Sequence, residues 1–289
     1  MLIAEPPTIT VTAPVVDAAT SARAGAYVRA VLATPFYGQY ARWADPVCLR
    51  VAGLEDVPAA RVTARFTGIA TEAGVRIAKP GCKPNLQLVF TEDADNTTRI
   101  ITRKRPRQIA RLNADARQTL LTAPLPIRWW HGLEVRDRDG QRAAANGSAA
   151  LMSASGSGGM PLANSLPVGP DAVMTDNRSG SLINTNIAVW ATSAVVIVDV
   201  TLAAGKPLDA VADYAALAAL APMKLPPPVP GVPSILGLFA ADGTAEALSR
   251  WDRAWLAALY RIPMNRNGNR QRGDMTARMA ATMAAPTRD

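Results

Sequence analysis

The sequence contains few of the residues that bind metals or act as general bases. Among its 289 residues it has one histidine, His131, and two cysteines, Cys48 and Cys82. A zinc site needs several clustered histidine, cysteine or carboxylate ligands, and a catalytic nucleophile needs a base beside it. We therefore predict no metal site and no cofactor. His131 is kept as a candidate base, although a structural role is the interpretation that we favour.

Long apolar stretches are also missing from the chain. The most apolar run, residues 195–200, has the length of a strand, whereas a membrane-spanning helix needs about 20 apolar residues. We predict no transmembrane segment. The first residues, Met1-Leu2-Ile3-Ala4-Glu5, carry neither the basic nor the apolar region of a signal peptide. Two explanations stay open at this point, a cytosolic protein or an exported protein whose signal peptide has been removed.

The two cysteines favour the second explanation. Both lie in turn-forming segments, Asp45-Pro46-Val47-Cys48 and Pro80-Gly81-Cys82-Lys83-Pro84-Asn85. A single pair of cysteines in rigid turns is best interpreted as one disulfide, and disulfides persist in oxidising compartments. We therefore predict a Cys48–Cys82 disulfide and a periplasmic or extracellular location, with a redox role for the cysteines as the alternative.

Hydrophobic periodicity predicts the fold class. Residues 47–51 and 86–90 have strand character, and residues 55–74 between them place apolar side chains on one face of a helix. Such a strand–helix–strand unit implies neighbouring parallel strands. We expect an α/β (or α+β) fold, in which a mixed sheet has flanking helices. Further strands are predicted at 126–135 and 186–200, and further helices at 17–33, 93–112, 208–220, 234–239 and 244–261.

Composition divides the chain into segments. Residues 1–16 are predicted to form an extended arm, and residues 17–262 an α/β domain. Residues 141–183 within that domain are rich in glycine and serine, which predicts a flexible insertion, either a loop or a long arm. Residues 263–289 are polar and basic and are predicted to form a loose tail.

Asp209 and Asp213 are the candidate acid–base residues. They are four residues apart on the helix predicted at 208–220, so they share a face, and Asp199 ends the preceding strand. Paired carboxylates in a cleft can perform acid–base chemistry. The interpretation that we favour is structural, with Asp209 capping the helix and Asp213 facing solvent or a local arginine.

Two basic clusters accompany the net charge of +8. They are Arg103-Lys104-Arg105-Pro106-Arg107 with Arg111, and Arg266, Arg270 and Arg272. Both could contact phosphates. Neither contains aromatic residues on which bases could stack, so we favour a solvated surface and a loose tail over a nucleic-acid partner.

Several stretches together resemble a family of exported bacterial proteins of unknown function. The resemblance covers residues 17–262, and its motifs are Asp45-Pro46-Val47-Cys48, Gly81-Cys82-Lys83-Pro84-Asn85-Leu86, Val211-Ala212-Asp213-Tyr214-Ala215-Ala216-Leu217, Ser234-Ile235-Leu236-Gly237-Leu238-Phe239 and the segment from Trp251-Asp252 to Leu259-Tyr260. The last three are also similar to the C-terminal half of a zinc-peptidase-like family. Because His-Glu-x-x-His is missing here, that likeness implies a peptidase-like scaffold without the metal and transfers no catalytic residue.

These observations lead to one functional hypothesis and two alternatives. The hypothesis is a non-catalytic binding or assembly protein of the cell envelope, held by one disulfide, with a protein partner there and homo-oligomerisation left open. The first alternative is a hydrolase that uses carboxylates such as Asp213. The second is binding of nucleic acid or another anionic polymer through the basic segments.

Overall fold

The structure, a computed structural model, describes residues 16–110, 112–137, 185 and 187–286. The predicted insertion at 141–183 and all but the last residue of the predicted arm at 1–16 lie outside these residues, as does Arg111.

A mixed five-stranded sheet forms the centre of the described chain. Its strands are β1 (Arg42–Trp43), β2 (Leu49–Ala52), β3 (Leu86–Thr91), β4 (Ile127–Asp137) and β5 (Ile187–Asp199). One side of β5 pairs with antiparallel β4, and the other pairs first with β1 and then with β3, both in parallel. β2 lies parallel beyond β3. The sheet is open, and the predicted α/β class is confirmed.

Eight α-helices are described. They are α1 (Ala18–Val31), α2 (Asp56–Ala73), α3 (Ala94–Lys104), α4 (Pro106–Ile109), α5 (Ala114–Thr122), α6 (Leu208–Leu220), α7 (Arg250–Arg261) and α8 (Gly268–Ala284), with a short 3-10 helix at Ile235–Gly237. Asp17 caps α1 by accepting a hydrogen bond from the Thr20 amide, and Gly74 ends α2 in the left-handed conformation. Both boundaries agree with the sequence prediction.

The two faces of the sheet carry different layers. Alternate residues of each strand point to opposite faces, and Leu86, Leu88 and Val196 join the large core that contains α1, α2, α6, α7 and α8. Val195 and Ile197 instead join a smaller core with residues of α3, α4 and α5. The predicted β2–α2–β3 unit is confirmed, with β2 and β3 parallel and adjacent.

Helix α6 is buried on every side. All its residues from Ala210 to Leu220 are buried, whereas an ordinary surface helix has only an apolar stripe. The small side chains, mostly alanine, let α2 and the sheet approach it closely. Any charge on this helix must therefore find a partner inside the protein.

Three sequence predictions need correction. Residues 268–284 form a helix rather than a loose tail, because the buried side chains of Met275 and Met279 attach α8 to the core. Helix α7 begins after Ser249, not after Thr244, since the Ser249 hydroxyl accepts the capping hydrogen bond. Helix α5 was not predicted, because only Leu120 of its residues is buried and its apolar pattern is short.

Candidate functional site

Cys48 and Cys82 form the predicted disulfide, with their Cα atoms 6.1 Å apart. Cys48 precedes β2 and Cys82 lies in the turn before β3, so the bond joins the starts of two parallel strands. Asn85 holds the same junction: its side chain accepts from the Cys48 amide at 2.8 Å and donates to the Pro46 carbonyl at 3.0 Å. The two cysteine motifs of the sequence are therefore two halves of one structural unit.

Asp209 and Asp213 bind two arginines of α2 in parallel. Arg61 makes two hydrogen bonds to Asp209, at 2.7 and 2.8 Å, and Arg65 makes two to Asp213, at 2.6 and 2.8 Å. The two arginines are four residues apart on α2, and the two aspartates are four residues apart on α6. The two ion pairs therefore lie one helical turn apart. The sequence contains this matched spacing, although the spacing by itself does not show which helices meet.

Burial distinguishes the two ion pairs. The side chains of Arg61 and Asp209 are 64% and 27% exposed, whereas those of Arg65 and Asp213 are 31% and 0% exposed. The bond to Arg61 lowers the pKa of Asp209. Asp209 does not cap α6, which has no side-chain cap, so that prediction is wrong. The arginine partner of Asp213 is distant in sequence rather than local.

The protein itself engages both oxygens of Asp213. Besides the two bonds from Arg65, it accepts a third from the Leu248 amide at 2.7 Å. A ligand could reach this fully buried carboxylate only after these charged and backbone donors had moved. This geometry supports a structural role for Asp213.

Asp199 and His131 also make structural bonds. Asp199 accepts from the amides of Thr201 and Leu202, both at 3.0 Å, which closes the turn after β5. His131 Nε2 lies 3.0 Å from the Ala219 carbonyl, so Nε2 carries the hydrogen and donates it. Burial lowers the pKa of His131 to about 4, and the ring is therefore neutral at pH 7.

Three side chains donate to the last two carbonyls of α6. Trp43 donates to the Ala219 carbonyl at 2.9 Å, as His131 does, and the Tyr260 hydroxyl donates to the Leu220 carbonyl at 2.7 Å. The last carbonyls of a buried helix have no water to bind, so such donors are needed. His131 thus belongs to a structural cap.

Asp252 is the buried carboxylate that the sequence analysis missed. It accepts from the hydroxyls of Tyr27 and Ser234, both at 2.5 Å, and from the amides of Ile235 and Ser249, both at 2.8 Å. Burial, followed by the Asp252 charge, raises the pKa of Tyr27. The capping box formed by Ser249 and Asp252 was the available sequence signal.

The helical layer of α3, α4 and α5 carries a group of exposed cations. We define the α3–α4 surface as the exposed side chains Arg99, Ile100, Arg103, Lys104, Arg105 and Arg107. Within the described part of the chain, the side chains of Arg103, Lys104, Arg105 and Arg107 make no hydrogen bond or ion pair. In the other predicted basic cluster, Arg266 pairs with Asp274 and Arg272 binds Asn269.

The described residues contain neither a candidate metal site nor a candidate membrane span. They contain no group of three or more histidine, cysteine or acidic side chains that could hold a metal ion. None of their helices has the length and apolar character to cross a membrane.

Comparisons with protein-family models, with curated proteins and with solved structures found no match for this chain. The two resemblances stated from the sequence motifs therefore stay predictions.

Proposed function

We infer that this chain is a non-catalytic binding or assembly protein of the cell envelope, stabilised by one disulfide. One observation carries the inference: the carboxylate best suited by sequence to acid–base chemistry, Asp213, is fully buried and accepts three hydrogen bonds from the protein itself. A hydrolase that used Asp213 would have to break this network before it bound substrate.

The compartment is part of the proposal. A disulfide that joins two adjacent strands is typical of proteins that fold in oxidising surroundings. Its test is a thiol assay on the unreduced, denatured protein taken from its native host. We expect no free thiol. Two free thiols per chain would contradict both the disulfide in the cell and the envelope location.

Binding is tested by site-specific photo-cross-linking in living cells. A photoreactive residue replaces Lys104 on the α3–α4 surface or, in a separate variant, Ala277 on the exposed side of α8. We expect one of these faces to give adducts of defined mass in the envelope fraction. A monomer without adducts from either face would contradict the proposal.

A further inference from the structure

The outer side of α3 differs sharply from its inner side. Ala94, Thr98 and Thr102 form the buried stripe, and the two threonine hydroxyls donate to the carbonyls four residues earlier, at 2.6 and 2.8 Å. The threonines thereby satisfy their own polar groups against the sheet. The exposed side of the helix carries Asp95 and Asn96 in its first turn, followed by residues of the α3–α4 surface.

The cationic side chains of this surface are close together in the sequence and form no ion pair among the described residues. Arg103 and Lys104 end α3, Arg105 lies between the helices, and Arg107 follows Pro106 in the first turn of α4. The carboxylate at the start of α3, Asp95, binds the buried Arg128 on β4. Some described arginines elsewhere, such as Arg61, Arg65 and Arg253, each bind a carboxylate. The α3–α4 surface differs in holding four cationic side chains within five residues, none of them paired within the described part of the chain.

An apolar side chain lies within this charged surface. Ile100 is 42% exposed, and Arg103 and Lys104 follow it by three and four residues, so all three share one side of the helix. A solvated basic face does not need an exposed isoleucine beside its cations. At a lipid interface, by contrast, an apolar side chain enters the headgroup region while its basic neighbours bind phosphate.

We propose that the α3–α4 surface binds the anionic phospholipid headgroups of a membrane, and this rests on the proposed binding function. Basic side chains near an anionic leaflet each contribute on the order of 1 kcal/mol. Single-stranded nucleic acid suits the surface less well, because residues 94–122 contain no aromatic side chain on which a base could stack. The lipid surface fits both the charge and the isoleucine.

Vesicle co-sedimentation of the full, disulfide-bonded chain tests the proposal. The probes are vesicles of phosphatidylglycerol and phosphatidylcholine in equal amounts, and vesicles of phosphatidylcholine alone. We expect binding to the anionic vesicles only, weakening steeply as salt is added. Equal binding to both vesicles, or binding that salt does not change, would overturn the proposal.

Two variants with equal loss of charge separate the surface from the net charge. R103Q/K104Q/R105Q/R107Q is expected to bind the anionic vesicles roughly 1,000-fold more weakly than the wild type. The control, R23Q/R29Q/R50Q/R261Q, changes exposed arginines outside both candidate faces that make no side-chain hydrogen bond among the described residues. It should stay within about threefold of the wild type. Equal losses in the two variants would overturn the site.

Ile100→Ser distinguishes lipid from other polyanions. The variant should weaken vesicle binding by about fivefold, because serine buries less apolar surface in the membrane than isoleucine does. Its binding to single-stranded DNA should be unchanged. DNA binding that is tighter than vesicle binding and depends on the same cations would overturn the lipid assignment. If vesicle binding is lost while the cellular cross-links persist, the lipid proposal fails and the binding function stands.

Discussion

The buried charges of α6 and α7 and the exposed charges of the α3–α4 surface differ in their hydrogen bonding. Asp213 and Asp252 are fully buried, and between them they accept seven hydrogen bonds from side chains and backbone amides. By contrast, the exposed side chains of Arg103, Lys104, Arg105 and Arg107 make no hydrogen bond or ion pair among the described residues. A buried charge without partners would destabilise the fold, whereas an exposed cation needs none.

This difference indicates which charged residues stabilise the fold and which are exposed for binding. The interior carboxylates hold elements that are far apart along the chain, as when Asp252 joins α7 to Tyr27 of α1 and to Ser234. The surface cations hold nothing within the described chain. Substitutions in the interior should therefore change stability, and substitutions on the α3–α4 surface should change binding.

The largest loss of stability is expected from Asp252→Ala. Four donors would lose their acceptor inside the core, and we expect the free energy of unfolding to fall by about 4 kcal/mol. Urea denaturation measures this change. The control is Asp242→Ala at an exposed position, which should keep the unfolding midpoint of the wild type. Equal midpoints for the two variants would show that the Asp252 network does not hold the fold.

Arg65→Ala should produce the next largest effect. It leaves the fully buried Asp213 without its cation, which costs about 3 kcal/mol in unfolding free energy. Arg61→Ala removes the same pair of bonds from an exposed position one turn away, and its unfolding midpoint should match the wild type within error. If both arginines mattered equally, burial would not be what distinguishes the two ion pairs.

His131 should make stability fall in weak acid. Because burial lowers its pKa to about 4, the unfolded chain binds the proton between pH 6.5 and pH 4 while the folded chain does not. Stability then decreases as pH falls through this range, by about 2 kcal/mol between pH 7 and pH 5. Urea denaturation at both pH values should show a smaller decrease for His131→Gln. An identical decrease would mean that His131 takes up its proton at the same pH in the folded and the unfolded chain.

The smallest effect on stability is expected from R103Q/K104Q/R105Q/R107Q. These side chains have no partner in the described chain, so the free energy of unfolding should change by less than about 0.5 kcal/mol. Thermal unfolding followed by circular dichroism measures it. A large destabilisation would place these cations with the interior charges and remove the contrast between the two regions.

Local features of the sequence were sufficient to predict much of the fold. The Asp17 cap, the apolar face of α2, the Gly74 stop and the two cysteine turns each depend on neighbouring residues, and the βαβ unit follows from them. The position of α8 could not be predicted in this way, because its apolar contacts, Met275, Met279, Ala280 and Met283, are interspersed among polar residues.

The partners of the buried charges were harder to predict, because they come from distant parts of the chain. Arg65 and Asp213 are 148 residues apart, and Tyr27 and Asp252 are 225 apart. The spacing of the arginines on α2 and of the aspartates on α6 is visible in the sequence, but which helices meet depends on the packing of the whole core.

The most direct test of the account is the stability of Asp213→Ala, measured by urea denaturation beside Asp209→Ala. If Asp213 is a structural charge, its loss should lower the free energy of unfolding by about 3 kcal/mol, while Asp209→Ala keeps the wild-type midpoint. An Asp213→Ala protein as stable as the wild type, or more stable, would contradict the account. Functional groups are often held at a cost to stability, so that result would favour the carboxylate-dependent hydrolase instead.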